Sequence, residues 1–204
     1  MFMRASGIVA WVLLLFSVVL GLLRSGHSAR PQKSYEPSTR SARRRTGGMT
    51  RWRPFLVHPY AVAELHDYTA LLGLLAALVH PALLLLDAFM PFTVRQLLVP
   101  GAAPYRPLPV ALGTVALYVW VVVYLTSLAR RHLSQPLWHG LHLLAYPLFL
   151  LATIHGITSG TDSGATWLQA LYAVGFLSTA ILTVRRLRSL KRARASVKER
   201  PVPV

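Results

Sequence analysis

Five apolar runs, separated by polar and strongly basic stretches, divide the chain. They cover residues 5–23, 64–88, 109–129, 136–158 and 165–184. Each is close to the ~20 apolar residues that carry an α-helix across the hydrocarbon core of a bilayer. Helix-start signals sit where they are needed: Ser134 precedes Pro136 ahead of the fourth run, and Asp162 and Ser163 precede the fifth, offering cap and first-turn groups to orphan N–H donors. The Pro- and Gly-containing stretch 100–109 reads as a connection and 160–164 as a tight turn. The expected fold is all-α: an integral membrane helical bundle of about five transmembrane helices.

Composition supports that expectation. Of 204 residues, 54% are hydrophobic and only 14% charged, where a soluble domain carries roughly a quarter charged residues; mean hydropathy is +0.47. The chain has no cysteine. Disulfides, iron–sulfur clusters and thiolate-bound metals are excluded, and so is thioether attachment of a haem, so a bound haem would be b-type. Any cofactor has to be held by histidine, carboxylate or packing alone.

The formal charge of +16 would suit nucleic acid in a soluble protein. In a membrane protein it marks topology, because Lys and Arg concentrate in cytoplasmic loops, and no nucleic-acid partner is expected. The linker between the first two runs holds nine Lys/Arg and the segment after the fifth run eight, and Arg130 and Arg131 lie in the loop between the third and fourth. Only Arg4, Arg95 and Arg106 fall on the opposite side. The N-terminus is therefore expected outside and the C-terminus in the cytoplasm of a multi-pass cell-membrane protein. Residues 1–24 form the first transmembrane helix, 25–57 a basic cytoplasmic linker, 58–185 a four-helix core and 186–204 a basic cytoplasmic tail. Linker and tail have little to bury and much to attract anionic membrane lipid. Arg4, the apolar run and the Gly26-His27-Ser28-Ala29 stretch also fit a cleaved leader. Cleavage would export the basic linker against the charge rule, so the first helix is read as retained.

Candidate chemistry comes from histidines. His66 and His80 lie 14 residues apart in the second run, and His142 and His155 lie 13 apart in the fourth. One span intervenes, so both runs cross in the same direction. His66 then shares a depth with His142, and His80 with His155. At ~1.5 Å per residue each pair is offset by roughly 20 Å along its helix, room for one prosthetic group per leaflet. A neutral imidazole donates a lone pair to iron, and two from facing helices complete a six-coordinate haem suited to electron transfer. At ~100° per residue, 14 residues return to within about 40° of the starting face, whereas 13 fall about 140° short of four turns. Alignment of His142 with His155 needs a distortion, for which Pro147 is the candidate.

Other residues carry weaker signals. His139, one turn before His142, reads as interfacial beside Trp138; His132, His58 and His27 are not read as ligands. Gly73, Gly140 and Gly156 permit close approach of a macrocycle or a neighbouring helix. Arg130, Arg131 and Trp138 stand where haem propionates or topology would call for them. Tyr118, Trp120, Tyr124 and Tyr146 read as packing or belt aromatics. A histidine-based metal or proton transporter is the rival class, but it wants more intramembrane carboxylates: Glu64, Asp67 and Asp87 all sit near span ends. A non-redox membrane anchor is a third class, and it leaves the ionisable groups inside the spans without a role.

At these residues the sequence resembles the ferric reductase-like transmembrane domain family, which includes ferric reductases, NADPH oxidases and the haem-binding membrane subunit of bacterial methionine sulfoxide reductase. The resemblance rests on Leu65-His66, His80-Pro81, Trp138-His139-Gly140-Leu141-His142 with Tyr146, His155-Gly156 and Gly160-Thr161-Asp162. It spans roughly residues 5–185 and is strongest over 64–162. It implies two haems b, or one, with His66 and His142 as axial ligands of an inner haem and His80 and His155 of an outer one. Residues 58–185 would be the haem-binding core. Asp67 and His139 depart from the basic residues common at those places. The short stretch after the fifth run cannot hold a flavin and nicotinamide domain, so electrons are expected from a separate reductase, a quinol or a redox partner protein.

Overall fold

A computed structural model of the protein describes residues 2–27, 59–87, 91–160 and 162–198. The basic linker, the possible cleavage point at 28–29, His58 and the last residues of the tail lie outside the described residues. Regular structure among the described residues is helical throughout: α1 (Phe2–His27), α2 (Pro59–Leu85), α3 (Val94–Leu98), α4 (Pro107–Leu128), a 3-10 turn (Arg130–His132), α5 (Gln135–His142), α6 (Ala145–Ser159) and α7 (Thr166–Lys198). Among the described residues five stretches are long and apolar enough to cross a membrane: Arg4–Arg24, Tyr60–Leu85, Pro107–Leu128, Gln135–Ser159 and Thr166–Arg192. The chain has the architecture of a multi-pass membrane protein.

The fourth span differs from a single continuous helix. Pro147 has no N–H to offer Leu143 O, and that carbonyl instead accepts Tyr146 N at 3.1 Å. Leu144 N likewise donates to Leu141 O, 3.1 Å away. Both bonds skip three residues rather than four, so α5 passes into α6 through a tightened turn at Leu143–Leu144, just before the proline. Each residue wound at 3.0 per turn gains ~20° over the α-helix. The four steps from His142 to Tyr146 recover about 80° of the shortfall between His142 and His155.

Several start signals are also used differently. Ser134 is the N-cap residue of α5, but its side chain makes no cap bond. Asp162 instead pairs with Arg4 Nη1 at 2.7 Å, and Ser163 Oγ donates back to Gly156 O and Gly160 O. The Arg4–Asp162 pair ties α1 to the α6–α7 turn, although an exposed pair of this kind contributes only about 0–1 kcal/mol. Span two begins at Pro59 rather than Glu64. The short helix α3 has no counterpart in the sequence reading; a Thr93–Gln96 capping box starts it, and Thr114 Oγ1 donates to its Leu97 O at 3.0 Å. Arg106 begins α4 in the left-handed region (φ 44°), while its guanidinium donates to the exposed carbonyl of Thr158 at the end of α6.

α1, read from the sequence as a segment ahead of a four-helix core, lies inside that core. It packs along α2 and also meets α6 and α7, while α4 packs on α5 and α6. At mid-depth Trp11, Leu14, Leu74, Ala116, Trp120, Leu148, Phe149, Leu168 and Tyr172 form one buried cluster. Trp11 sits at its centre. Its Nε1–H donates to Thr153 Oγ1 at 2.9 Å, its ring lies 5.8 Å from Phe149 and edge-on to Tyr172 at 4.7 Å, and a Cβ on Gly175 would meet it at 2.5 Å. Truncation of a buried Trp costs about 3–5 kcal/mol. Trp11→Ala is accordingly expected to lower the thermal unfolding midpoint in detergent sharply, and Trp11→Phe much less; equal midpoints for Trp11→Ala and the parent would contradict this placement.

Candidate cofactor site

The two histidines of α2 meet the two of the fourth span in the interior. His66 faces His142 with ring centroids 6.1 Å apart, and His80 faces His155 at 6.3 Å. The ring planes cross steeply, at 69° and 75°, so neither pair is stacked. Two imidazoles ligating one metal ion from opposite sides would place their centroids about 6.2–6.4 Å apart, given ~2.0–2.1 Å metal–nitrogen bonds and a ring radius of ~1.1 Å on each side. Both separations fit one ion between the rings.

The outward ring nitrogens are held. His66 Nδ1–H donates to Ser17 O at 2.8 Å, with Ser17 Oγ 3.2 Å away. His155 Nδ1–H donates to Pro109 O at 2.8 Å, with Ser159 Oγ at 3.2 Å. A carbonyl only accepts, so these contacts select the tautomer whose Nε2 carries the lone pair. At His142, Ser127 Oγ lies 3.4 Å from Nδ1 and gives its own proton to Val123 O at 2.7 Å, which leaves it an acceptor for Nδ1–H. His80 Nδ1 lies 3.3 Å from Ser6 Oγ. Oriented imidazoles with an anchored outer nitrogen are the pattern of metal ligands with supporting partners.

Glycines seat the rings. A Cβ on Gly7 would lie 3.1 Å from His80 Cε1, one on Gly21 3.3 Å from His66 Cε1, and one on Gly113 2.6 Å from His155 Cε1. Of the glycines singled out from sequence, Gly73 admits Trp120 and Gly156 admits the Tyr172 hydroxyl, both close approaches of a neighbouring helix, while Gly140 has nothing within 4 Å. Gly7, Gly21, Ser6 and Ser17 were legible only in hindsight. Gly7 and Gly21 are 14 residues apart, the spacing of His66 and His80 on the antiparallel neighbour, and that match was the available signal.

The two pairs have different surroundings. A cavity of about 470 Å³ reaches His80 and His155 and is lined also by Gly7, Gly113, Arg4, Ser159 and Asp162. That volume falls in the range of cofactor pockets. Beside the other pair, Trp138 stacks on His142 (5.1 Å, 24°) and Arg130 lies over the Trp138 ring at 4.2 Å. Trp138 Nε1 is buried with no hydrogen-bond partner among the described residues, a donor suited to a ligand's acidic substituent. His139 is exposed and touches Trp138 rather than the paired rings. His132 is exposed and accepts from Arg131 Nε at 2.9 Å. His27 closes α1, and its side chain is not among those described. Of the aromatics, Trp120 is core, Tyr124 packs against the core, and Tyr118 donates to Leu98 O.

Among the described residues no three His, Cys, Asp or Glu side chains gather closely enough to hold a metal ion. A bare ion would therefore be short of protein ligands. A metal already held in the plane of a macrocycle needs only the two axial positions, and the paired rings, glycine cradles and unpartnered donor fit such a group. No protein-family model matches the chain, and neither a curated protein nor a solved structure matches it. The functional reading therefore rests on the site.

Proposed function

We propose that the protein is a dihaem b-type transmembrane electron-transfer subunit of the ferric reductase-like kind. The observation that carries this reading is the two histidine pairs, each at the separation of two axial ligands and each with its Nδ1 atoms held from behind. His66 and His142 would hold one haem, and His80 and His155 the other. When bound, haem b at each pair supplies reversible one-electron exchange within the insulating interior of the bilayer.

The chain's own residues do the rest. Ser17 O, Pro109 O and Ser127 Oγ fix the tautomers, and the glycines on α1 and α4 set the ring positions. The buried layer of Trp11, Trp120 and Phe149 puts apolar side chains between the two levels. Two imidazoles holding the group at each site would favour electron transfer over oxygen chemistry. The basic distribution favours a cytoplasmic C-terminus, the His66/His142 level toward the cytoplasm and the His80/His155 level toward the outer face of the cell membrane. Electrons would arrive from a separate reductase, a quinol or a redox partner protein and leave to an acceptor on the outer side.

The test is a dithionite-reduced minus oxidised spectrum of purified protein from haem-replete cells, with the haem-to-chain ratio. A b-type α-band at two haems per chain is expected. Protein that remains folded and shows no such band would sink the reading.

A further inference from the structure

His142 is the least anchored of the three histidines with an assigned Nδ1 donor bond. His66 and His155 donate to backbone carbonyls at 2.8 Å, whereas His142 has a serine hydroxyl at 3.4 Å. It is also the last residue of α5, where the helix tightens into Leu143–Leu144. What restrains the ring instead is Trp138, one turn earlier on the same helix and nearly parallel to it at 5.1 Å. The indole is not aimed by a hydrogen bond, since its Nε1 has no partner among the described residues. It is covered by Arg130, whose guanidinium carbon lies 4.2 Å from the ring centroid and whose backbone is set by the 3-10 turn after α4. A guanidinium over an indole is the favoured cation–π arrangement, so the column runs from a charged residue at the helix junction to an axial imidazole.

We propose that Arg130 and Trp138 are positioning residues: Trp138 sets the plane of His142, and Arg130 makes the His66/His142 site easier to reduce. This rests on the haem reading above. Arg130 is exposed, so solvent and salt screen part of its effect, but its charge stands one ring layer from the ligand, where it stabilises an added electron. Arg131 is the matched control. It is the next residue, carries the same charge and is spent on His132 instead.

The experiment uses the full-length, haem-replete protein in detergent, with potentiometric titration and ferric low-spin EPR. Arg130→Gln is expected to lower the midpoint of the component that His66→Ala removes by roughly tenfold in the reduction equilibrium, or 59 mV for one electron. Arg130→Lys and Arg131→Gln leave that midpoint near the parent value. Trp138→Leu shifts the g-values of the same component, and Trp138→Phe keeps them. An unchanged midpoint in Arg130→Gln, or an equal shift in Arg131→Gln, overturns the electrostatic role. Parent g-values in Trp138→Leu overturn the positioning role. Should Trp138→Leu fail to fold, g-values in Arg130→Gln identical to those of Arg130→Lys overturn it as well. Parent protein without haem defeats the functional reading and this one together, whereas two normal haems indifferent to these changes defeat this one alone.

Discussion

Replacing His80 with alanine is expected to remove one of two b-type spectral components, and replacing His155 to remove the same one. The haem-to-chain ratio should fall from two to one in each case, because a six-coordinate site that loses an imidazole loses its bis-histidine signature outright. His66→Ala and His142→Ala should together define the other component. The basis is spatial: ring centroids at 6.1 and 6.3 Å define the partners, and the two pairs are separated by the buried layer around Trp11 and Leu148, so one can be lost without the other. All four rings are only half-buried, and truncating one should leave the helices packed. Loss of different components from His80→Ala and His155→Ala would refute the pairing. Loss of both from any one variant would refute the independence of the two levels.

The sequence made the helices legible because the bilayer imposes a length on them: all five apolar runs correspond to membrane-length spans, with ends shifted by a few residues except the last, which runs on to Arg192. The depth of the histidines was legible for the same reason, since a fixed rise per residue turns 14 and 13 positions into nearly equal heights. Rotation was harder. The fourth span could not be aligned by counting, because the winding between Leu141 and Tyr146 depends on which carbonyl each N–H finds once Pro147 withdraws its own donor. The sequence reading places α1 ahead of the core because the paired histidines lie in the second and fourth runs. What it contributes is the absence of side chains at Gly7 and Gly21 and hydroxyls at Ser6 and Ser17, a role that is visible only once its neighbour is known. The same holds for α4, whose contributions to His155 are a carbonyl at Pro109 and an empty position at Gly113.

Gly113 is where that absence has its largest expected consequence. In a helix interior, Gly→Ala ordinarily stabilises by about 1 kcal/mol, and Gly140→Ala, with nothing within 4 Å of the added methyl, should be neutral or mildly favourable. At Gly113 the sign should invert. The new Cβ would lie 2.6, 2.7 and 2.9 Å from three atoms of the His155 ring, closer than carbon atoms tolerate. The ring cannot simply swing aside, since its Nδ1 is held by Pro109 O at 2.8 Å and flanked by Ser159 Oγ. Metal–nitrogen bonds tolerate only about ±0.2 Å, and disturbing a ligand's supporting shell typically weakens metal affinity about 10–100-fold. Gly113→Ala should therefore deplete the His80/His155 component selectively while the His66/His142 component persists. Haem titration of the two variants side by side reads this directly. The decisive comparison is a double-mutant cycle: once His155 is alanine, adding Gly113→Ala should have no further effect on haem content. A Gly113→Ala protein that binds both haems as tightly as the parent would mean that α4 does not cradle the ring.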